Sequence, residues 1–222
     1  MTRTRQDGQG MFAMRELEAG VKAWVKRGWP KDFHNSLYQW LATLDPNGEF
    51  TMDWWDRLYP TLRAWRATRP FPRSLLTARF AQRAEAIRAA WQASCAPRAS
   101  LNIETVRWEQ VADFANVVAG IKPTLSPVFR SKLCHFRLPT VFPVVDRTTL
   151  GPWSRLSYRD YYLSVQKEWR DTPDEVRVEL IAYLKGQISD HIGATRATVY
   201  SGFPWACKII ELRRVGRASL AR

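Results

Sequence analysis

The residues best suited to chemistry stand at the end of a short apolar segment. Residues 141–145 read Val-Phe-Pro-Val-Val and are followed directly by Asp146. Because apolar segments tend to be buried, this one should carry the carboxylate to a fixed place in the fold. If a helix begins there, its free amides and positive dipole end favour the ionised carboxylate. Such a preorganised charge can stabilise positive charge that develops in a transition state. The plain alternative is that Asp146 only caps the helix that Arg147 begins.

Upstream of Asp146, the pattern predicts two helices joined by a short turn. Asn102 and Gly120 bound the first helix, over 103–119, and Ser126-Pro127 begins the second, over 126–137. A helical hairpin can bind a phosphate through the free amides of its turn and of its second helix. An ordinary αα-hairpin with a solvated basic face is the alternative. The residues expected to contact phosphates are Lys122, Ser126, Arg130, Lys132 and Arg147.

The charge balance indicates a polyanionic partner. The 222 residues include 34 Lys and Arg against 21 Asp and Glu, which gives a formal net charge of +13. A charge of that size speeds the capture of nucleic acid, and double-stranded DNA is the predicted partner. An acidic protein or a membrane surface is the alternative.

Composition also disfavours several other classes of protein. Hydrophobic residues make up 45% of the chain, enough for a packed core. The three cysteines lack C-x-x-C spacing, which argues for a reducing compartment and against a zinc site or a disulfide framework. No apolar run approaches the length of a membrane span, and no secretory signal opens the chain. The sequence therefore predicts a cytoplasmic monomer with no metal or other cofactor.

The order of these features resembles the helix-hairpin-helix superfamily of DNA glycosylases. In that family an F-P-(I/V)-x-D segment follows the second hairpin helix, and its aspartate lies at the mouth of the base pocket. Here the segment is Phe142-Pro143-Val144-Val145-Asp146. The chain departs from the family in the turn, where Ile121-Lys122-Pro123-Thr124-Leu125 replaces the usual L-P-G-(I/V)-G. The resemblance implies excision of a modified or damaged base. Asp146 would then assist water attack at C1′ and stabilise the oxocarbenium-like sugar.

The helical pattern, with almost no strand signals, predicts an all-α fold, and the resemblance implies two lobes. Carried over from the family, residues 31–140 form a helical bundle that contains the hairpin, over about 103–137. Residues 11–30 and 141–222 form the second lobe. The polar, Gly-containing start of the chain, residues 1–10, is expected to be a disordered basic tail.

Bifunctional members of the family use a lysine on the second hairpin helix as a Schiff-base nucleophile. Aligning the Asp146 segment on the family motif puts Val128 at that position, and Lys132 lies one helical turn further along. The resemblance therefore favours a monofunctional glycosylase in which Lys132 contacts a phosphate. Lys132 becomes catalytic only if the enzyme is bifunctional.

A base that is extruded from the duplex needs an aromatic or apolar sandwich. The chain has 11 tryptophans, and most of them, such as Trp54, Trp65, Trp108 and Trp169, fall on predicted core stripes. The candidates for the base pocket are aromatic residues outside these stripes, namely Trp29, Trp153, Phe203 and Trp205.

Other functions stay open at this point. One alternative is a non-catalytic helical DNA-binding protein in which Asp146 merely caps a helix. Some compact glycosylases of this general kind defend bacteria by excising hypermodified bases from phage DNA, and the sequence does not separate that role from repair. An RNA-binding or nuclease role is a further alternative. The nuclease is disfavoured, because the sequence shows no paired carboxylates, His-Asp motif or D…E-x-K run.

Overall fold

The computed structural model describes residues 3–146, 157–192 and 198–221, and this part of the chain is all-α, as predicted. It contains no strand in those ranges. Nine α-helices lie there: α1 Arg3–Lys26, α2 Asn35–Leu44, α3 Met52–Ala64, α4 Arg73–Ala90, α5 Ala112–Ala119, α6 Pro127–Arg137, α7 Tyr158–Arg170, α8 Asp174–Ile192 and α9 Trp205–Leu220.

Both ends of the chain are more helical than the sequence predicts. Helix α1 begins at Arg3, where a disordered tail was expected, and α9 continues to Leu220 through the basic sequence around Arg213 and Arg217. The arginines of α9 belong to the packed structure. Arg213 and Arg217 both bind the fully buried Glu16 of α1, at 3.0 and 2.6 Å. These ion pairs neutralise charges that look solvated in the sequence.

The first and last helices cross in very close contact. A Cβ atom at Gly216 would overlap the carbonyl oxygen of Glu16, and one at Gly20 would overlap that of Leu212. Only glycine permits this approach of two helix backbones. The two glycines therefore fix where α1 and α9 meet.

The predicted helix 103–119 is interrupted. Only Trp108–Gln110, a 3₁₀ turn, and α5 are helical there. The Asn102 side chain accepts a hydrogen bond from the Glu104 amide at 2.9 Å, which makes a local turn. The carbonyl of Val106 is bound by the side chains of Tyr162 and Gln166 from α7. Contacts from a distant helix thus replace the intrahelical hydrogen bonds of this stretch.

The core is rich in aromatic residues, as the core stripes predict. Trp54, Trp108 and Trp169 are buried, and Trp55 stacks on Phe80 with ring centroids 4.6 Å apart. Within the described ranges, no helix combines the length and apolar character that crossing a membrane requires.

Candidate functional site

The segment that carries Asp146 is neither helix nor strand, and side chains fix its backbone. The ring Nδ1 of His135 lies 2.6 Å from the Phe142 carbonyl oxygen. The hydroxyl of Tyr158 donates to the Pro143 carbonyl at 3.1 Å. The Val145 amide donates to the Ser131 hydroxyl at 3.0 Å. Because these bonds satisfy backbone groups that no regular structure satisfies, residues 142–145 have a defined path.

His135 binds the segment as a neutral ring, because burial lowers its pKa. It lies 1% exposed, and its Nε2 is 2.9 Å from the hydroxyl of Tyr38. Nδ1 must donate to the Phe142 carbonyl, so Nε2 accepts from the Tyr38 hydroxyl. Burial lowers the pKa of His135 to about 3, with nearby Lys208 acting in the same direction and the bond to Phe142 against it.

Asp146 and Lys132 form an ion pair at the end of this segment. Lys132 Nζ lies 3.7 Å from Asp146 Oδ2, and the exposed fractions of the two side chains are 4% and 28%. The same Nζ donates to the Trp65 carbonyl at 2.6 Å. Burial lowers the pKa of Lys132, while Asp146 and then Glu211 raise it. The site therefore presents a carboxylate to solvent beside a nearly buried amine.

The pair opens into a cleft of about 730 Å³. Four rings line it, and Arg66, Arg69 and Glu211 add charge to its lining. The ring centroids of Trp24 and Trp29 are 4.5 Å apart. The lining rings are Trp24, Trp29, His34 and Trp65. Such walls suit a flat, aromatic ligand.

His34 contributes a polar atom to this aromatic lining. Its ring lies 4.6 Å from that of Trp65, between centroids. Its Nδ1 is buried and has no hydrogen-bond partner within the described ranges. Burial lowers the pKa of His34 well below the usual value, and Lys208 and His135 act in the same direction. Asp32 holds the backbone there by accepting from the amides of His34 and Ser36, at 3.1 and 3.0 Å.

The structure brings several predicted site residues together in the cleft. Trp29, Ser126, Lys132 and Asp146 all line it, and Val128 does as well. The Ser126 hydroxyl accepts from the Phe129 amide at 3.4 Å, so Ser126 is the N-cap of α6, as predicted.

Two of the expected base-pocket residues lie elsewhere. Phe203 is 2% exposed and packs on Tyr38 and on Trp205, with ring centroids 5.7 and 4.5 Å away. Neither Phe203 nor Trp205 is among the residues that line the Asp146 cleft. The loop that ends at Trp205 therefore contributes to the core instead of the pocket. The predicted residues Arg147 and Trp153 lie outside the described residues.

The basic residues of the hairpin are not the exposed phosphate-binding face that the sequence predicts. Lys122 is 5% exposed and donates to the Ala67 carbonyl at 2.9 Å. Lys132 is equally buried and binds the Trp65 carbonyl. Arg130 is half-buried and donates to Asn116 at 3.1 Å. The chain after α3 supplies the carbonyls that the two lysines bind, and no local pattern shows this contact.

Several residues of the cleft are not predicted from the sequence as site residues. Trp65, which was expected on a core stripe, is only half-buried and lines the cleft, and Trp24 is buried as well as cleft-lining. His34 stands alone in the sequence, and Glu211 lies in α9, far from Asp146 along the chain. Arg66 and Arg69, in contrast, lie in a short basic sequence that begins with Trp65. Such a sequence could have indicated a binding loop.

In comparisons with known proteins, the chain matches no family model, no curated protein and no solved structure. Within the described ranges, no three His, Cys, Asp or Glu residues are grouped so that they could hold a metal ion.

Proposed function

We propose that the protein is a DNA glycosylase that excises a modified or damaged base from double-stranded DNA. The observation that carries the proposal is the Asp146–Lys132 pair, 3.7 Å apart, at a cleft lined by aromatic rings. The carboxylate of Asp146 lines this cleft, which supports the catalytic role that the resemblance implies for it. The close pairing of α1 with α9 supports a second lobe built from both ends of the chain.

The cleft has a size and lining that suit an extruded base. Its volume of about 730 Å³ lies in the usual range for small-molecule sites, roughly 300–1,000 Å³. Trp29 and Trp65 line the cleft and are partly exposed, so they offer ring surface for stacking. The Nδ1 of His34 has no hydrogen-bond partner among the described residues, so it can bind a polar edge of a base. Stacking with few polar contacts is how flipped bases are usually held.

Asp146 supplies the charge that the reaction requires. As the base departs from C1′, the sugar becomes oxocarbenium-like, and a nearby carboxylate stabilises it. Asp146 also accepts a proton from the water that attacks C1′, and the departing base leaves with the electrons of the N-glycosidic bond. The fixed path of residues 142–145 holds the carboxylate in place before the substrate arrives. This route uses no metal or redox cofactor.

A second candidate activity, strand cleavage by a glycosylase/lyase, is favoured by the environment of Lys132. Burial lowers the pKa of its amine, and the neutral amine is the nucleophile in Schiff-base chemistry. Attack of the amine on C1′ would displace the base, and cleavage of the C1′–O4′ bond, with O4′ taking a proton, would open the sugar and give the imine. Loss of a C2′ proton and departure of the 3′ phosphate would then cut the strand. The first candidate is preferred because Lys132 is 4% exposed and donates to the Trp65 carbonyl.

Base excision can be tested before the target base is identified. The purified protein is incubated with genomic DNAs that differ in base modification, including hypermodified phage DNA, and abasic sites are counted with an aldehyde-reactive probe. We expect abasic sites in at least one of these DNAs. Excision confined to phage DNA would support a role in antiviral defence. Binding to every DNA with no abasic site in any would support the alternative, a non-catalytic DNA-binding protein.

A further inference from the structure

A second groove lies beside the Asp146 cleft. It encloses about 800 Å³ and is formed by the end of α3 and the chain that leads into α4. The groove and the cleft share Ala64, Arg66 and Arg69 as lining residues. The two depressions therefore adjoin, and the Asp146–Lys132 pair lines the cleft.

The charged residues that line this groove are positive, as far as the structure describes them. Its charged lining residues within the described ranges are all arginines, and each is exposed: Arg63, Arg66, Arg69 and Arg73. Arg73 pairs with Asp56 at 2.7 Å. The other three make no ion pair with any residue that the structure describes. A row of uncompensated guanidinium groups favours a polyanion, because each can bind a phosphate bidentately.

Two buried lysines fix the backbone that carries these arginines. Lys132 binds the carbonyl of Trp65, and Lys122 binds that of Ala67, so two buried ammonium groups fix the turn after α3. Arg66, between them, has a φ of 57°, in the left-handed region that non-glycine residues seldom adopt. Such a conformation persists where the surroundings impose it, and it is common at binding sites. A wall fixed in advance loses little entropy on binding.

We propose that this groove binds the phosphate backbone of the DNA strand that carries the target nucleotide. The arginines hold phosphates beside the extruded nucleotide while its base enters the adjoining cleft. The phosphate contacts that the sequence suggests for the hairpin lysines thus belong to Arg63, Arg66 and Arg69, and the lysines position the turn that presents them. This assignment rests on the proposed function, since only an extruded nucleotide needs both depressions at once.

The test compares two double variants that lose the same charge. Arg63→Gln/Arg69→Gln removes two groove arginines, whereas Lys22→Gln/Lys185→Gln removes two exposed lysines, on α1 and α8, that line neither depression. The probe is a fluorescein-labelled DNA duplex of mixed sequence with one unpaired central nucleotide. Its affinity is measured by anisotropy at salt concentrations from about 50 to about 300 mM, the range over which phosphate contacts weaken. Circular dichroism and the melting temperature confirm that each variant is folded.

We expect the arginine variant to bind the duplex about tenfold more weakly at about 150 mM salt. The slope of log K against log salt should fall by roughly 2, about 0.9 for each phosphate that is no longer neutralised. The lysine variant should keep nearly all of the wild-type affinity and slope. Equal weakening of the two variants, or an arginine variant that binds like the wild type, overturns the proposal.

The outcome separates this proposal from the proposed function. If the arginine variant binds normally and still forms abasic sites, the groove assignment fails and the glycosylase stands. If the wild type forms no abasic site in any DNA but its binding depends on the two arginines, the groove binds DNA and the glycosylase fails.

Discussion

Ser131 and Val145 are joined by a buried hydrogen bond of 3.0 Å, in which the Val145 amide donates to the Ser131 hydroxyl. This bond fixes the last residue before Asp146. Because Lys132 follows Ser131 on α6, one turn of one helix sets the positions of both members of the ion pair. The geometry of the site is thus a direct consequence of how the apolar segment packs on α6.

Replacing Ser131 with alanine should therefore reduce stability and activity together. The variant leaves the Val145 amide without an acceptor in the core, which costs about 1–3 kcal/mol of unfolding free energy. Base release should also slow, since Asp146 is no longer held. Urea unfolding and abasic-site formation measure the two effects. Ser36→Ala, at an exposed serine of α2, is the control and should behave like the wild type. Wild-type stability of Ser131→Ala would show that the bond contributes little.

The crossing of α1 and α9 gives a second test of the fold. Gly216→Ala places a methyl group against the Glu16 carbonyl, and neither helix backbone can yield locally. We expect a loss of about 3 kcal/mol, the upper end of ordinary overpacking costs, seen as a lower urea midpoint.

Gly186→Ala on α8 is the matched control for that substitution. A Cβ there meets nothing within 4 Å, so alanine should stabilise the helix by about 0.5–1 kcal/mol. If both variants gain stability, α1 and α9 do not approach each other as closely as described.

The elements that the sequence predicts correctly are those set by local chemistry. Ser126 caps α6 by accepting from the Phe129 amide at 3.4 Å. The burial of Trp54, Trp108 and Trp169 follows equally from the apolar spacing around them. Caps and apolar periodicity act within one or two helical turns, so they can be read from the sequence directly.

The failures depend on contacts between residues that are distant in sequence. In the sequence, Lys122 and Lys132 have the character of surface residues. In the structure both are buried, and they donate hydrogen bonds to carbonyls of the turn after α3. Nothing near Arg213 and Arg217 in the sequence indicates that both pair with the buried Glu16 of α1. Phe203 was predicted to line the base pocket from a loop, but it packs on Tyr38, which is distant in the sequence. In each case a partner far along the chain decides between exposure and burial.

Two buried histidines should make the protein sensitive to mild acid. The pKa of His135 is about 3 in the folded protein and near 6.5 when unfolded, so between these values the unfolded chain binds more protons. Stability from this residue is present above about pH 6.5 and is lost as the pH falls, by about 1.4 kcal/mol per unit. From about pH 7.5 to about pH 5 we expect a loss of about 2 kcal/mol from His135, and His34 acts in the same direction.

Substitutions of single histidines test which residue causes this pH dependence of stability. His135→Gln should flatten the curve of unfolding free energy against pH by about 2 kcal/mol over that interval, even if its stability at neutral pH is lower. His191→Gln, at an exposed histidine of α8, should keep the wild-type curve. An unchanged slope in His135→Gln would mean that other groups cause the acid sensitivity.

The product of the reaction distinguishes hydrolysis from lyase chemistry. Because Lys132 is nearly buried and its ammonium donates to Trp65, we expect an intact strand that bears an abasic site and breaks only after alkali. Borohydride should trap little covalent adduct. An efficient adduct that forms better at higher pH and disappears in Lys132→Met, but not in Lys122→Gln, would assign the nucleophile to Lys132 instead.

The decisive variant is Asp146→Asn. Asparagine keeps the shape of the side chain and a hydrogen-bond acceptor, so the variant should still fold and bind DNA. The nearly buried Lys132 ammonium loses its ion pair, so the free energy of unfolding should fall, and urea unfolding measures this loss separately from the rate. The negative charge is lost, and with it the stabilisation of the oxocarbenium-like sugar and the activation of water. One preorganised contact of this kind is worth about 3–4 kcal/mol, so base release should slow by a few hundredfold. Asp53→Asn, at a carboxylate that is 79% exposed on α3, is the control and should keep the wild-type rate. If Asp146 merely caps a helix, folded Asp146→Asn protein will form abasic sites as fast as the wild type, and the catalytic assignment will be wrong.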